Sequence, residues 1–190
     1  MARKETKKQK ISKSDEKRSR KLTTSRVAGE LKDLVLGEDD TKYPTNYSPK
    51  SLEIFDNKNP GAEAWTTFVC TEFTSLCPKT NQPDFAKIYI NYVADKKMVE
   101  SKSLKLYLFS FRNHGDFDED CIQKICNDLA KIMKPKYLEV VGEFTPRGGI
   151  AIFPFASYAK SGKKYQDLKK NRFENYAPGK YTMSLARVYP

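Results

Sequence analysis

Apolar and polar positions alternate from Phe85 to Val93, with Ala86, Ile88 and Ile90 on one face and Lys87, Tyr89 and Asn91 on the other, which predicts a strand. Thr66 to Phe73 is rich in β-branched and aromatic residues and predicts a second strand just before it. Further on, Ile122, Ile125, Cys126, Leu129, Ile132 and Met133 keep helical spacing, so an amphipathic helix is expected that stops before Pro135. Asp116, three residues before Glu119, marks its start as an aspartate version of the capping box. Tyr137 to Phe144 and Ile150 to Tyr158 predict two more strands around the turn Thr145-Pro146-Arg147-Gly148-Gly149. Leu104 to Phe111 fits either period: Leu104, Leu106 and Leu108 suit a strand, whereas Leu104, Tyr107, Leu108 and Phe111 suit a helix. The order β–β–helix–β–β argues for an α+β fold with antiparallel hairpins.

The flanks have a different composition. Of the net charge of +11, residues 1–32 carry +8, from twelve Lys or Arg against four Asp or Glu. This segment has no aromatic residue and reads as a disordered basic tail. Lysines neutralise phosphate without sequence preference, but no aromatic side chain is interleaved to stack on bases, so a solubility role and a weak nucleic-acid contact both stay open. Residues 33–65 read as an extended arm with turns, and 159–190 as a C-terminal tail or short docking arm, leaving 66–158 as the folded domain. No apolar run approaches the roughly 20 residues that span a bilayer, and the N-terminus lacks a secretory apolar core, so no membrane partner and a cytoplasmic location are expected. Four cysteines, at 70, 77, 121 and 126, form no Cys-x-x-Cys pair and are expected as thiols.

One of these thiols sits where chemistry is plausible. Between the first two strands runs Ser75-Leu76-Cys77-Pro78-Lys79-Thr80-Asn81-Gln82-Pro83-Asp84, a loop stiffened by two prolines that places a thiol and a carboxylate near one another. Lys79 beside Cys77 is expected to favour the thiolate, the nucleophilic form, and Asp84 to move protons. A structural cysteine followed by an ordinary turn is the alternative that the loop alone leaves open.

Three further runs bear on that choice: Val99-Glu100-Ser101-Lys102-Ser103-Leu104-Lys105-Leu106-Tyr107, Phe111-Arg112-Asn113-His114-Gly115-Asp116-Phe117, and Phe144-Thr145-Pro146-Arg147-Gly148-Gly149. With the Cys77 loop they resemble, from about Thr66 to about Tyr158, the QueF-type nitrile reductases, NADPH-dependent 7-cyano-7-deazaguanine reductases of queuosine biosynthesis. The resemblance implies a tunnelling fold, a ββααββ unit with two helices on one face of an antiparallel sheet. It also implies a ring-forming homo-oligomer with active sites between subunits. By the same resemblance Cys77 attacks the nitrile carbon to give a thioimide and Asp84 protonates the nitrogen. Val99, Glu100, Ser101, Asp118 and Glu119 then meet the deazapurine, and Ser101, Lys102, Arg147 and Gly148 meet NADPH. Glycine there allows close backbone approach and arginine grips phosphate.

At one position the chain departs from the family pattern His-Gly-Asp-Phe-His-Glu. The second histidine is Asp118 here, which exchanges a group that donates and titrates near neutrality for one that normally accepts. A related amidinotransferase, which forms archaeosine in tRNA through the same thioimide, is the competing reading. Its branch is expected to lack the Glu100-Ser101-Lys102-Ser103-Leu104-Lys105 cofactor run that is intact here. A non-catalytic purine-binding ring protein would lack a reactive thiol. The only histidine, His114, matches no zinc spacing with the cysteines; no metal is expected, and His114 reads as a loop-ordering residue.

Overall fold

The computed structural model describes residues 43–176; the basic segment 1–32, the start of the arm and the last fourteen residues lie outside them. Four antiparallel strands form the main sheet in the order β2–β3–β5–β6: β2 is Trp65–Leu76, β3 Pro83–Val93, β5 Tyr137–Phe144 and β6 Phe155–Ala159. Two short strands, β1 (Ile54–Asp56) and β4 (Lys97–Val99), pair as a separate ribbon that the sequence pattern was too short to reveal. The helices are α1 (Ser101–Phe109), α2 (Asp118–Met133) and α3 (Lys163–Glu174). The molecule is α+β, as the order of patterned segments implies.

The ambiguous segment is a helix. Glu100 caps α1, its carboxylate accepting from the main-chain N–H of Lys102 (2.9 Å) and Ser103 (2.7 Å). A 3-10 turn, Ser110–Asn113, continues it. The expected start of α2 needs correction: Phe117, not Asp116, is the N-cap, and no side chain caps it. Asp116 is taken by other partners, Lys124 Nζ and His114 Nε2, the latter at 3.3 Å. α2 ends at Lys134 in the left-handed region before Pro135.

Alternation of side chains across the sheet decides what each face receives. Phe73, Ala86, Ile88, Ile90, Leu138, Val140 and Phe144 join Leu104, Tyr107 and Leu108 of α1 and Ile122, Ile125 and Leu129 of α2 in one buried core. Gly142 is needed for this approach, since a Cβ there would stand 2.8 Å from Ile122 Cδ1. The expected strand over 150–158 is shorter and later, at 155–159, because Pro154 has no N–H to give the ladder. Its lead-in still accepts from β5, with Gly142 N–H on Pro154 O at 3.0 Å.

Residues 163–174, within the segment read as a tail, form α3 on the other face of the sheet. Tyr165 and Leu168 pack on Val93, Tyr137 and Ala159. Arg172 grips buried Glu139 with two bonds, Nε to Oε2 at 3.0 Å and Nη2 to Oε1 at 2.7 Å. Asn91 Nδ2 and the Tyr137 hydroxyl also donate to that carboxylate, so a charge only 1% exposed is fully accommodated.

Candidate active site

The loop joining β2 to β3 is closed by its own backbone. Cys77 N–H donates to Gln82 O (2.8 Å), Asn81 N–H donates to Cys77 O (2.9 Å), and Asn81 takes φ +56° to complete the turn. From outside, the segment before α2 clamps the last residue of β2: Leu76 N–H donates to His114 O (3.0 Å) and Asp116 N–H to Leu76 O (3.1 Å). His114 is fixed by stacking on Tyr47, ring centroids 5.0 Å apart, and by Asp116. The position of the thiol is therefore held by two chain segments rather than by one flexible turn.

The environment of Cys77 stabilises the thiolate. The Thr80 hydroxyl, the Arg147 guanidinium and the main-chain N–H groups of Thr80 and Lys79 all donate toward the sulfur, bringing its pKa down to about 6. Lys79 acts here through its backbone N–H and not through the ammonium charge that sequence suggests. Arg147 reaches the loop from the β5–β6 connection, where its N–H and C=O exchange hydrogen bonds with those of Ile150 at 3.1 Å. Gly148 and Gly149 sit between them at φ +59° and +81°, the pair of positive values that a tight two-residue turn requires.

The same arginine binds a carboxylate. Arg147 Nε lies 2.9 Å from Asp84 Oδ1, and Nη1 lies 3.5 Å from Gln82 Oε1. Asp84 is 6% exposed, and burial raises its pKa against the pull of Arg147. Asp118 adds a second buried carboxyl. Its pKa is raised to about 6 by burial first and then by the charges of Asp84 and Glu119, with Arg147 opposing. Glu119, the next residue, is exposed on the first turn of α2.

Val99, Glu100, Ser101 and Lys102 form a second group at the β4–α1 junction, and among the described residues no hydrogen bond or ion pair joins it to the Cys77 group. The Val99 side chain belongs to the core. Glu100 uses both carboxylate oxygens on the helix start, which limits what it can offer a ligand without breaking the cap. Ser101, exposed, and Lys105 line a cleft of about 320 Å³ with Tyr43, Phe68, Cys70 and Phe109 between β2 and α1. Lys102 and Lys105 are cations of this second group, whereas Arg147 belongs to the Cys77 group, and the space beside Gly148 and Gly149 is open.

Sequence reading missed Thr80 and Gln82, which act through hydrogen bonds that only the folded loop creates. It also missed that Arg147 joins the thiol to Asp84. Burial disfavours the thiolate at the other three cysteines, pushing Cys121 and Cys126 up to about 12 and raising Cys70.

A family model described as QueF-like protein matches residues 83–163. An NADPH-dependent 7-cyano-7-deazaguanine reductase of Bdellovibrio bacteriovorus is 70% identical over 169 residues, covering 89% of this chain and 99% of that protein. Proteins of the same name from Bacillus cereus and Neisseria meningitidis are 58% and 61% identical over 80% and 78% of this chain, and 93% and 95% of theirs. A crystal structure of an archaeosine synthase QueF-Like in the apo form overlays 53% of this chain at 14% identity with a TM-score of 0.49, too loose a likeness to carry an argument.

Proposed function

The chain belongs to the QueF family, and from that premise we propose that it reduces 7-cyano-7-deazaguanine to 7-aminomethyl-7-deazaguanine with NADPH, in the cytoplasm, as a step of queuosine formation. The observation that carries the reading is the thiol of Cys77, held as thiolate near neutrality beside a buried acid, while the other cysteines are held as thiols.

A nitrile is a poor acceptor for hydride, so covalent activation by a thiolate precedes reduction. Cys77 sulfur adds to the nitrile carbon while Asp84 delivers a proton to the nitrogen, giving a thioimide and leaving Asp84 ionised. Arg147, bound to both groups, stabilises the thiolate before addition and the carboxylate after it. Thr80 and the loop amides hold the sulfur in place for return as leaving group. Two NADPH, bound in turn, would supply one hydride each. Ser101, Lys102, Arg147 and Gly148 are proposed to hold it; Val99, Glu100, Ser101, Asp118 and Glu119 are proposed to face the deazapurine, Glu119 accepting from its amino and ring N–H groups.

Two features support a homo-oligomer of tunnelling-fold units with the site between subunits. Leaving aside the short strand β4, which pairs outside the sheet, the strand–helix order is β2–β3–α1–α2–β5–β6, and among the described residues no hydrogen bond or ion pair joins the two groups of candidate residues. Complementation by a second copy would bring them together. The archaeosine-forming alternative is not favoured, since the relatives are named as reductases and the Glu100–Lys105 run is intact.

The test is absorbance of NADPH in the presence of 7-cyano-7-deazaguanine. Substrate-dependent oxidation of two cofactors per amine formed is expected. Adduct formation without oxidation, or ammonia-dependent turnover, would remove the reductase reading.

A further inference from the structure

The sulfur of Cys77 is only as well placed as the chain on either side of it. Leu76, before it, is hydrogen-bonded to the segment 114–116, its N–H donating to His114 O (3.0 Å) and its C=O accepting from Asp116 N–H (3.1 Å). Pro78, after it, lies against the same segment, since a Cβ on Gly115 would stand 3.7 Å from Pro78 Cα. Both neighbours of the nucleophile therefore rest on residues 114–116, and small displacements of a reacting group cost much of its rate.

Two supports hold that segment. From α2, Lys124 pairs with Asp116. From the opposite direction comes the arm, which the sequence pattern leaves outside the folded domain. Residues 45–48 lace it onto the 3-10 turn that leads into His114: Asn113 Nδ2 donates to Thr45 O (3.0 Å) and Ser48 N–H donates to Ser110 Oγ (3.0 Å). Between these two bonds Tyr47 lays its ring on the His114 ring, centroids 5.0 Å and planes 26° apart, and meets Phe111 edge-on at 5.1 Å. The Tyr47 hydroxyl donates to Asp128 Oδ2 of α2 (2.5 Å), an oxygen that also accepts from Tyr107 of α1 (2.6 Å). Burial first, and then Asp128, push the Tyr47 pKa up, so the hydroxyl stays a donor. A charge-assisted bond of this kind is among the stronger ones and fixes the far end of the ring. Among the described residues no hydrogen bond or ring contact joins Tyr47 to Cys77, so any effect on the thiol passes through His114.

We propose that Tyr47 is a positioning residue for the Cys77 nucleophile: its ring, locked by Asp128, seats His114 and so sets the segment that carries Leu76 and Pro78. The donors to the sulfur explain why seating matters. Thr80 and the amides move with the loop, but Arg147 reaches it from the β5–β6 connection, so a loop that tilts on its base loses register with the guanidinium. This rests on Cys77 being the nucleophile of the reductase reading, and it makes the arm a working part of the site.

Alkylation of Cys77 by iodoacetamide needs neither nitrile nor NADPH and reads the sulfur directly. Tyr47→Leu and His114→Leu remove the stack from its two sides. In each, the labelling midpoint is expected to rise from about 6 by at least ~0.5 of a pH unit, as donors to the thiolate are lost. Thioimide formation at saturating nitrile, followed by intact-protein mass, is expected to slow ~10-fold in both. Tyr47→Phe, which keeps the ring and loses only the hydroxyl, is expected to stay within ~3-fold of wild type. The two leucine changes combined are expected to be no slower than the slower single variant, because both break one contact. Leu168→Ala, which weakens packing of α3 on the other face of the sheet, is the control: a lower melting temperature with an unmoved midpoint. Wild-type midpoints in the leucine variants, effects that multiply when they are combined, or an equal shift in Leu168→Ala would overturn the proposal. Should Tyr47→Leu fail to fold, His114→Leu decides by itself, a wild-type midpoint and adduct rate there being enough to sink it. A wild-type protein that is alkylated at Cys77 with a midpoint near 6 but forms no nitrile adduct would fail the reductase reading instead, and the labelling midpoints would still judge Tyr47.

Discussion

Cys77 and Cys121 are the same residue type in the same small domain, and their thiols are held about six pKa units apart, near 6 and near 12. The difference is one of hydrogen-bond supply. Cys77 lies on a connecting loop, half-exposed, where a hydroxyl, a guanidinium and two backbone amides converge on the sulfur. Cys121 lies on the buried face of α2, where desolvation outweighs the Ser75 hydroxyl and neighbouring carboxylates oppose ionisation further. A helix interior has already spent its N–H groups on its own carbonyls; a closed loop such as 77–82 has amides left to give. Nucleophilicity here is therefore a property of loop backbone more than of nearby positive charge.

The comparison breaks most sharply by deletion. Cys77→Ala is expected to abolish the covalent adduct and all substrate-dependent NADPH oxidation while leaving the melting temperature near that of wild type. Cys121→Ala is expected to do the reverse, keeping activity and losing on the order of 1–2 kcal/mol of stability from a close-packed helix–sheet contact. Intact-protein mass and thermal melts on both variants decide it. Residual turnover in Cys77→Ala would mean that another group carries the chemistry.

A smaller effect is expected from Arg147→Ala. The guanidinium is the second support of the thiolate, and its charge opposes proton uptake by Asp84, so its loss raises both pKa values. The midpoint of the pH dependence of iodoacetamide labelling at Cys77 is expected to move up from about 6 toward, but not to, the free value of ~8.5, since Thr80 and the amides remain. NADPH demand is expected to rise as well. If the labelling midpoint stays put while only cofactor demand changes, Arg147 serves the cofactor alone.

Much of this arrangement is legible in the chain. Period two at 85–93 and period 3.6 at 122–133 specify β3 and α2, because burial of one face sets both. The Pro78 and Pro83 punctuation isolates the Cys77 loop. What stays hidden depends on partners far away in sequence. α1 is ambiguous by periodicity and is decided by the Glu100 cap, a residue type uncommon in that role. Asp116 looks like a cap but is drawn off by Lys124 and His114. α3 has only Tyr165 and Leu168 to bury, too few to make a visible stripe, and is anchored instead by the Arg172–Glu139 pair across the sheet. That Asp84 raises the pKa of Asp118, a residue 34 positions away, follows from the tertiary fold and from no local signal.

The smallest expected effect concerns stability, and it sharpens the contrast between a site tuned for chemistry and a core tuned for packing. The folded pKa of Asp118, about 6, lies above the ordinary 3.8, so the fold favours its protonated form. Its favourable contribution is full below about pH 4 and is lost as pH rises through the folded value. At about pH 8 the wild type therefore folds with a buried charge facing Asp84 and Glu119, and Asp118→Asn removes that charge without changing shape. The variant is expected to melt higher than wild type at about pH 8, by on the order of 1–2 kcal/mol after allowance for screening, and to match it near pH 4. Guanidinium or thermal unfolding at the two pH values measures the difference. Equal shifts at both would assign the effect to packing, and a loss at about pH 8 would mean that ionised Asp118 has a stabilising partner, leaving no reason for it to hold a proton.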